Sequence, residues 1–75
     1  MPTNEERADW ADAACDAFCE AAGHEDGEPE VITDLVANLL HLAHRIGMCP
    51  ESLVERALLH FEAEMDYEES ANAND

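Results

Sequence analysis

The sequence predicts an all-α fold, a compact three-helix domain, on three observations. Apolar residues recur every three or four positions along three segments, and nowhere do they alternate as in a strand. Gly23 and Gly47 each close such a segment, while Pro29 and Pro50 each stand just inside the next. Alanine, leucine and glutamate, all good helix formers, fill the segments themselves. The expected helices run over about 5–22, 29–46 and 50–68, within a single domain spanning 1–75. Residues 1–3 and the acidic tail 69–75 have little to bury and are expected to be flexible, the tail disordered.

The first helix opens at Thr3-Asn4-Glu5-Glu6. Thr3 and Glu6 have the spacing of a capping box, and the acids face the positive end of the helix dipole. Trp10, Ala14, Ala17, Phe18 and Ala21 share one face, with Trp10 and Phe18 as its large anchors. The alanines permit close approach to a neighbouring helix. Cys15 reads as a small core residue and Cys19 as the edge of the packed face. The polar stretch from Gly23 to Glu28 is a loop.

The second helix carries the most apolar run in the chain, VITDLVANLLHLAHRI. From Val31 and Ile32 through Leu39 and Leu40 to Ile46, its apolar residues cover roughly half the circumference. Asp34, Asn38, His41, His44 and Arg45 take the other half. A stripe that wide needs partners on more than one side, so this helix is expected to be central and mostly buried. Gly47 fits the left-handed position that ends a helix, with Met48 placed for the accompanying apolar contact. Cys49 precedes the third helix, where it is a poor cap, so that start relies on Pro50, Glu51 and packing. Leu53, Val54, Ala57, Leu58, Phe61 and Met65 form the expected buried stripe of the third helix.

Charge bounds the function. Nineteen Asp and Glu stand against three Arg and no Lys, a formal net charge of -16. Such a surface repels nucleic acid and anionic membranes, because binding phosphates requires cations. Its natural partner is a basic, Lys/Arg-rich protein surface. No basic leader followed by an apolar run is visible, and polar residues interrupt the longest apolar segment, so neither export nor membrane spanning is expected. Three cysteines without an export signal read as reduced thiols in the cytoplasm.

The carboxylates fall in rows. Asp9, Asp12, Asp16 and Glu20 recur at helical spacing on the first helix. Glu51, Glu55, Glu62, Asp66 and Glu69 do so on the third, beside its apolar stripe. Steps of three or four residues place successive carboxylates about 5–6 Å apart on a rigid rod. DNA offers one phosphate per roughly 3.4 Å of axis along each strand, so the match is approximate. Unrelieved like charges weaken a helix slightly, and no lysine interrupts either row. A row of this kind suits a groove that otherwise holds nucleic acid. It also suits plain acidity of the kind salt-loving organisms use for solubility.

Other chemistry is thinly represented. His41 and His44 stand three residues apart and could ligate a metal, but with Asp34, Asn38 and Arg45 they also form an ordinary polar face. Cys15 and Cys19 lack zinc-knuckle spacing and a second pair. No nucleophile is paired with a base and no glycine-rich phosphate loop exists. No catalytic residues, cofactor or metal are expected. Leu59 falls beside the acid row of the third helix, either as an isolated exposed leucine or as an apolar anchor within an acidic interface.

Thr33-Asp34-Leu35, Leu39-Leu40-His41-Leu42-Ala43, Gly47 and Ala57-Leu58-Leu59-His60-Phe61-Glu62-Ala63-Glu64 together resemble a known pattern. Small acidic helical proteins of bacteriophages and mobile elements show a T-D-L-x-x-x-L-x-H stretch, a glycine turn and a helix closing on H-F/Y-x-x-E. The resemblance covers about half the chain and departs from the pattern at Cys49, where Asp, Ser or Thr is usual. Some proteins of this style are anti-CRISPR inhibitors that occupy DNA-binding surfaces of the effector complex. The resemblance implies that role for this chain, with a CRISPR effector subunit in a bacterial host's cytoplasm as its target.

Together these readings give an expectation of a non-enzymatic DNA mimic, a monomer or weak homodimer. Its partner-binding residues would be the two acid rows together with Leu59. The alternative is a small accessory or regulatory protein, acidic only for solubility, that dimerises or docks through an apolar patch around Leu59, Leu40 or Met48.

Overall fold

Thr3 starts the first helix as its spacing with Glu6 predicts. Its hydroxyl accepts a hydrogen bond from the Glu6 amide at 3.1 Å, and the Glu6 carboxylate accepts one from the Thr3 amide at 3.2 Å. The computed structural model describes residues 2–23, 27 and 29–73, and of 70–73 the backbone alone. Three helices make up the fold in the predicted order: α1 (Asn4–Ala22), α2 (Glu30–Arg45) and α3 (Pro50–Ala73). No strand occurs among the described residues. The predicted three-helix all-α domain is therefore what forms. Of the loop after Gly23, residues 24–26 and 28 lie outside the described residues, as do residues 1, 74 and 75.

Each helix end follows local chemistry. Gly23 takes φ 69° and donates its amide to the Cys19 carbonyl, closing α1 in the left-handed region that glycine enters without a Cβ penalty. Pro29 lies just before α2 rather than in its first turn, and both the amide and the hydroxyl of Thr33 donate to its carbonyl at 3.1 Å. Gly47, at φ 87°, donates to the His44 carbonyl at 3.2 Å while Met48 donates to Ala43 at 2.8 Å. That paired bonding is a Schellman motif, and it satisfies carbonyls that α2 would otherwise leave open. Cys49 offers its carbonyl to the Leu53 amide at 3.0 Å and so occupies the position that opens α3. Its thiol donates to the Glu51 carboxylate at 3.4 Å. α3 continues five residues past the end its apolar pattern predicts, into the stretch read from sequence as tail.

All three helices touch one another, and polar groups join α1 to α3. The Asn4 amide, an open donor of the first turn, bonds the Glu68 carboxylate at 2.8 Å. Asn4 also donates from Nδ2 to the Glu64 carbonyl at 3.3 Å and accepts from Arg7 at 2.8 Å. The Arg7 guanidinium then reaches the Glu64 carboxylate at 3.1 Å. A carboxylate from α3 thus caps the positive end of α1 across the fold.

The expected burial of α2 is not what forms. Only Cys15, Val31 and Ala43 are buried apolar residues among those described, and no side chain is wholly enclosed. Ile32, Val36, Leu39, Leu42 and Ile46 are exposed along the middle of the stripe. α1 meets α2 through Ala8, Ala11 and Cys15, side chains too short to fill the space between them. Trp10, expected as an anchor of that face, is 60% exposed. It stands five residues from buried Cys15, about 140° around the helix, so the two cannot share a face. Phe18 is half-buried. On α3 Pro50, Leu53, Glu64 and Glu68 are half-buried, whereas Val54, Leu58, Phe61 and Met65 are exposed. Glu64 and Glu68 lie within about 60° of Phe61 around the helix, so α3 latches onto Asn4 and Arg7 along one edge of its apolar row, and the rest of that row is left uncovered. None of the described helices is long and apolar enough to cross a membrane.

Candidate interaction surfaces

Every residue of the two acid rows is exposed: Asp9, Asp12, Asp16 and Glu20 on α1, and Glu51, Glu55, Glu62, Asp66 and Glu69 on α3. Among the described residues, the ion pair between Arg7 and Glu64 involves neither row. The rows do not merge. α1 meets α3 through Asn4 and Arg7, and the α1 row lies about 150° around the helix from that contact. α3 meets α1 through Glu64 and Glu68, and its row lies about 150° from that contact as well. At their crossing the two rows therefore point to opposite sides of the molecule. The α3 row is the longer edge, spanning about 27 Å from Glu51 to Glu69, against about 16 Å from Asp9 to Glu20.

Glu51 differs from its neighbours in the row. Its carboxylate accepts from its own backbone amide and from the Cys49 thiol, and these bonds hold its pKa below the ordinary value of 4.5. Only the two-residue spacing of Cys49 and Glu51 hints at that thiol contact from sequence.

The acids also rim apolar openings. Asp9 and Asp12 stand at the edge of a groove of about 630 Å³ between α1 and α2, floored by Ile32, Leu35, Val36 and Leu39. Glu51 shares a depression of about 320 Å³ with Leu40, Pro50 and Val54 between α2 and α3. Leu59, 62% exposed, stands one turn from Glu55 and Glu62 and lines a shallow opening with Arg56, His60 and Ala63. His41 lies with Asn38, Leu42 and Arg45 on the polar side of α2. Asn38 donates to the Asp34 carbonyl at 2.8 Å, an intrahelical bond of the ordinary polar face. Among the described residues, no three His, Cys, Asp or Glu side chains converge in a way that could hold a metal.

Sequence reasoning missed the groove and the latch. The groove follows from Ala8 and Ala11, whose small size was read as close approach when it equally leaves space. Arg7 was the available signal for the latch, as the only cation among the acids of the first helix. Comparison with protein-family models, curated proteins and solved structures found no match to this chain.

Proposed function

We propose that this protein is a non-enzymatic inhibitor that occupies the Lys/Arg-lined surface of a nucleic-acid-binding protein in place of DNA. In its most specific form the reading is an anti-CRISPR protein acting on an effector subunit in a bacterial cytoplasm. The observation that carries it is the α3 row, five exposed carboxylates on one rigid helix with no ion pair among the described residues. Such a row offers a basic groove the charge that phosphates otherwise supply, without the base edges that duplex DNA would present. The mechanism is competition. Each Lys or Arg engaged by Glu55, Glu62 or Asp66 is withdrawn from DNA, and added salt weakens the contact by screening. Because the two rows diverge, the α3 row is the principal edge and the α1 row serves a separate contact.

The test is displacement of labelled duplex from a purified CRISPR effector, measured over a salt series. The double reversal Glu55→Lys with Glu62→Lys should weaken inhibition tenfold or more, roughly 1.4 kcal/mol, with helical content unchanged. Asp12→Lys with Asp16→Lys should cost less. Undiminished inhibition by the α3 reversal would sink the electrostatic account. A second reading, an accessory protein that docks through apolar surface, is favoured by the exposure of Leu39, Leu58 and Phe61. It requires binding that salt does not weaken.

A further inference from the structure

Among the described residues the core is small, with Cys15, Val31 and Ala43 as its buried apolar side chains. The chain's accessible surface is 6117 Å², whereas a monomeric protein of 8.3 kDa exposes about 4,600 Å² by the usual size scaling. The excess is roughly 1,500 Å², and a standard interface removes about 800 Å² from each partner. Slightly more than half of that excess meets what a stable dimer needs. The radius of gyration is likewise 14.7 Å, where about 11 Å is usual for this length.

Both halves of a complementary contact lie on one chain. α1 and α2 frame the groove floored by Ile32, Val36 and Leu39, with Leu39 49% exposed. α3 presents Val54, Leu58 and Phe61 at steps of four and three, the anchor spacing of a helix that lies in a groove, whereas the sulfur of Met65, one step further, accepts from Asn4 Nδ2 of the same chain at 3.7 Å. Phe61 is 57% exposed, and Val54 of the same helix lines the separate depression at Leu40 beside α2. We infer that a second copy of the chain fills the groove: α3 of each copy lies between α1 and α2 of the other, in a two-fold exchange. An isologous contact of that kind uses the groove and the row once on each side and closes at two chains.

The charges set its salt dependence. Asp9 and Asp12 rim the groove, and Glu55 and Glu62 flank the apolar row, so association works against carboxylate repulsion. Salt relieves that repulsion and tightens the dimer. This is opposite in sign to binding of a basic surface through the acid rows, so the two interfaces are separable in one titration.

The experiment is sedimentation equilibrium of the full chain from about 1 to about 100 µM at low and high salt, with thermal midpoints at each concentration. The expected mass is twice 8.3 kDa, favoured by salt, with a midpoint that rises with concentration. Leu39→Lys in the groove and Phe61→Lys on the row should each give the single-chain mass. Ala37→Lys, on the opposite side of α2, should leave the dimer intact. If either interface variant fails to fold, the concentration dependence of the unaltered chain still decides. A single-chain mass throughout with a concentration-independent midpoint overturns the proposal. So does a dimer that survives Phe61→Lys.

Discussion

Arg7 and Glu64 are paired across the fold, the guanidinium Nε lying 3.1 Å from the carboxylate, and this contact joins the first helix to the third. Both side chains are partly shielded, at 28% and 36% exposure, and Arg7 is fixed further by its bond to Asn4. Partial shielding and a second hydrogen bond raise the pair above a freely exposed ion pair. Arg7→Ala should therefore lower stability by about 1 kcal/mol, read as a shift in the urea midpoint. Glu64→Gln should cost a similar amount, and the double variant less than the sum, since either change alone breaks the same pair. High salt should narrow these differences.

The turn at Gly47 gives a second expectation. Its φ of 87° lies where an L side chain is strained, although nothing within 4 Å would meet an added Cβ. Gly47→Ala should destabilise by about 1 kcal/mol through backbone conformation alone. Gly27 also has open space and no positive φ, so Gly27→Ala should be neutral or slightly stabilising. Thermal unfolding of the two variants side by side isolates the conformational term.

Glu51 makes stability depend on pH in a defined direction. Its folded pKa lies below 4.5 because its own amide and the Cys49 thiol donate to the charged carboxylate. The charged form is thus favoured by folding. Its stabilising contribution is fully present above the unfolded value and is lost as pH falls from there through the lower folded value. Glu51→Gln should flatten this part of the acid-unfolding profile, and Cys49→Ala should flatten it partly by removing the thiol donor. Melting temperatures taken at descending pH, against the unaltered chain, would show it. An unchanged slope in Glu51→Gln would remove the assignment.

The helices and their ends were legible because each is decided within a few residues. Thr3 with Glu6, Gly23, and Gly47 with Met48 are local signals, and each performs as its type requires. The burial of α2 was not legible. Periodicity aligns Ile32, Val36 and Leu39 on one face but says nothing about whether another helix covers them. Ala8 and Ala11 decide that, and they leave the groove open. The exposure of Phe61 is set by tertiary packing too: α3 meets α1 through Glu64 and Glu68 with Asn4 and Arg7, partners about sixty residues away that no local pattern connects. The acid rows were legible as rows, and their exposure follows from charge. Their divergence emerges only from the crossing of α1 and α3.

The bond between the Asn4 amide and the Glu68 carboxylate spans 64 residues of sequence, and that separation bears on the order of events at synthesis. α1 leaves the ribosome first, with an open amide at its leading turn. The carboxylate that satisfies that amide is made only when α3 is nearly complete. Closing so long a loop carries an entropic penalty that local helix formation does not. The nascent chain therefore passes through a stage in which the first helix can meet α2 but the amide of its leading turn still lacks its partner. That first turn is satisfied only once the last helix has been made, so the α1–α3 contact is a late event in folding.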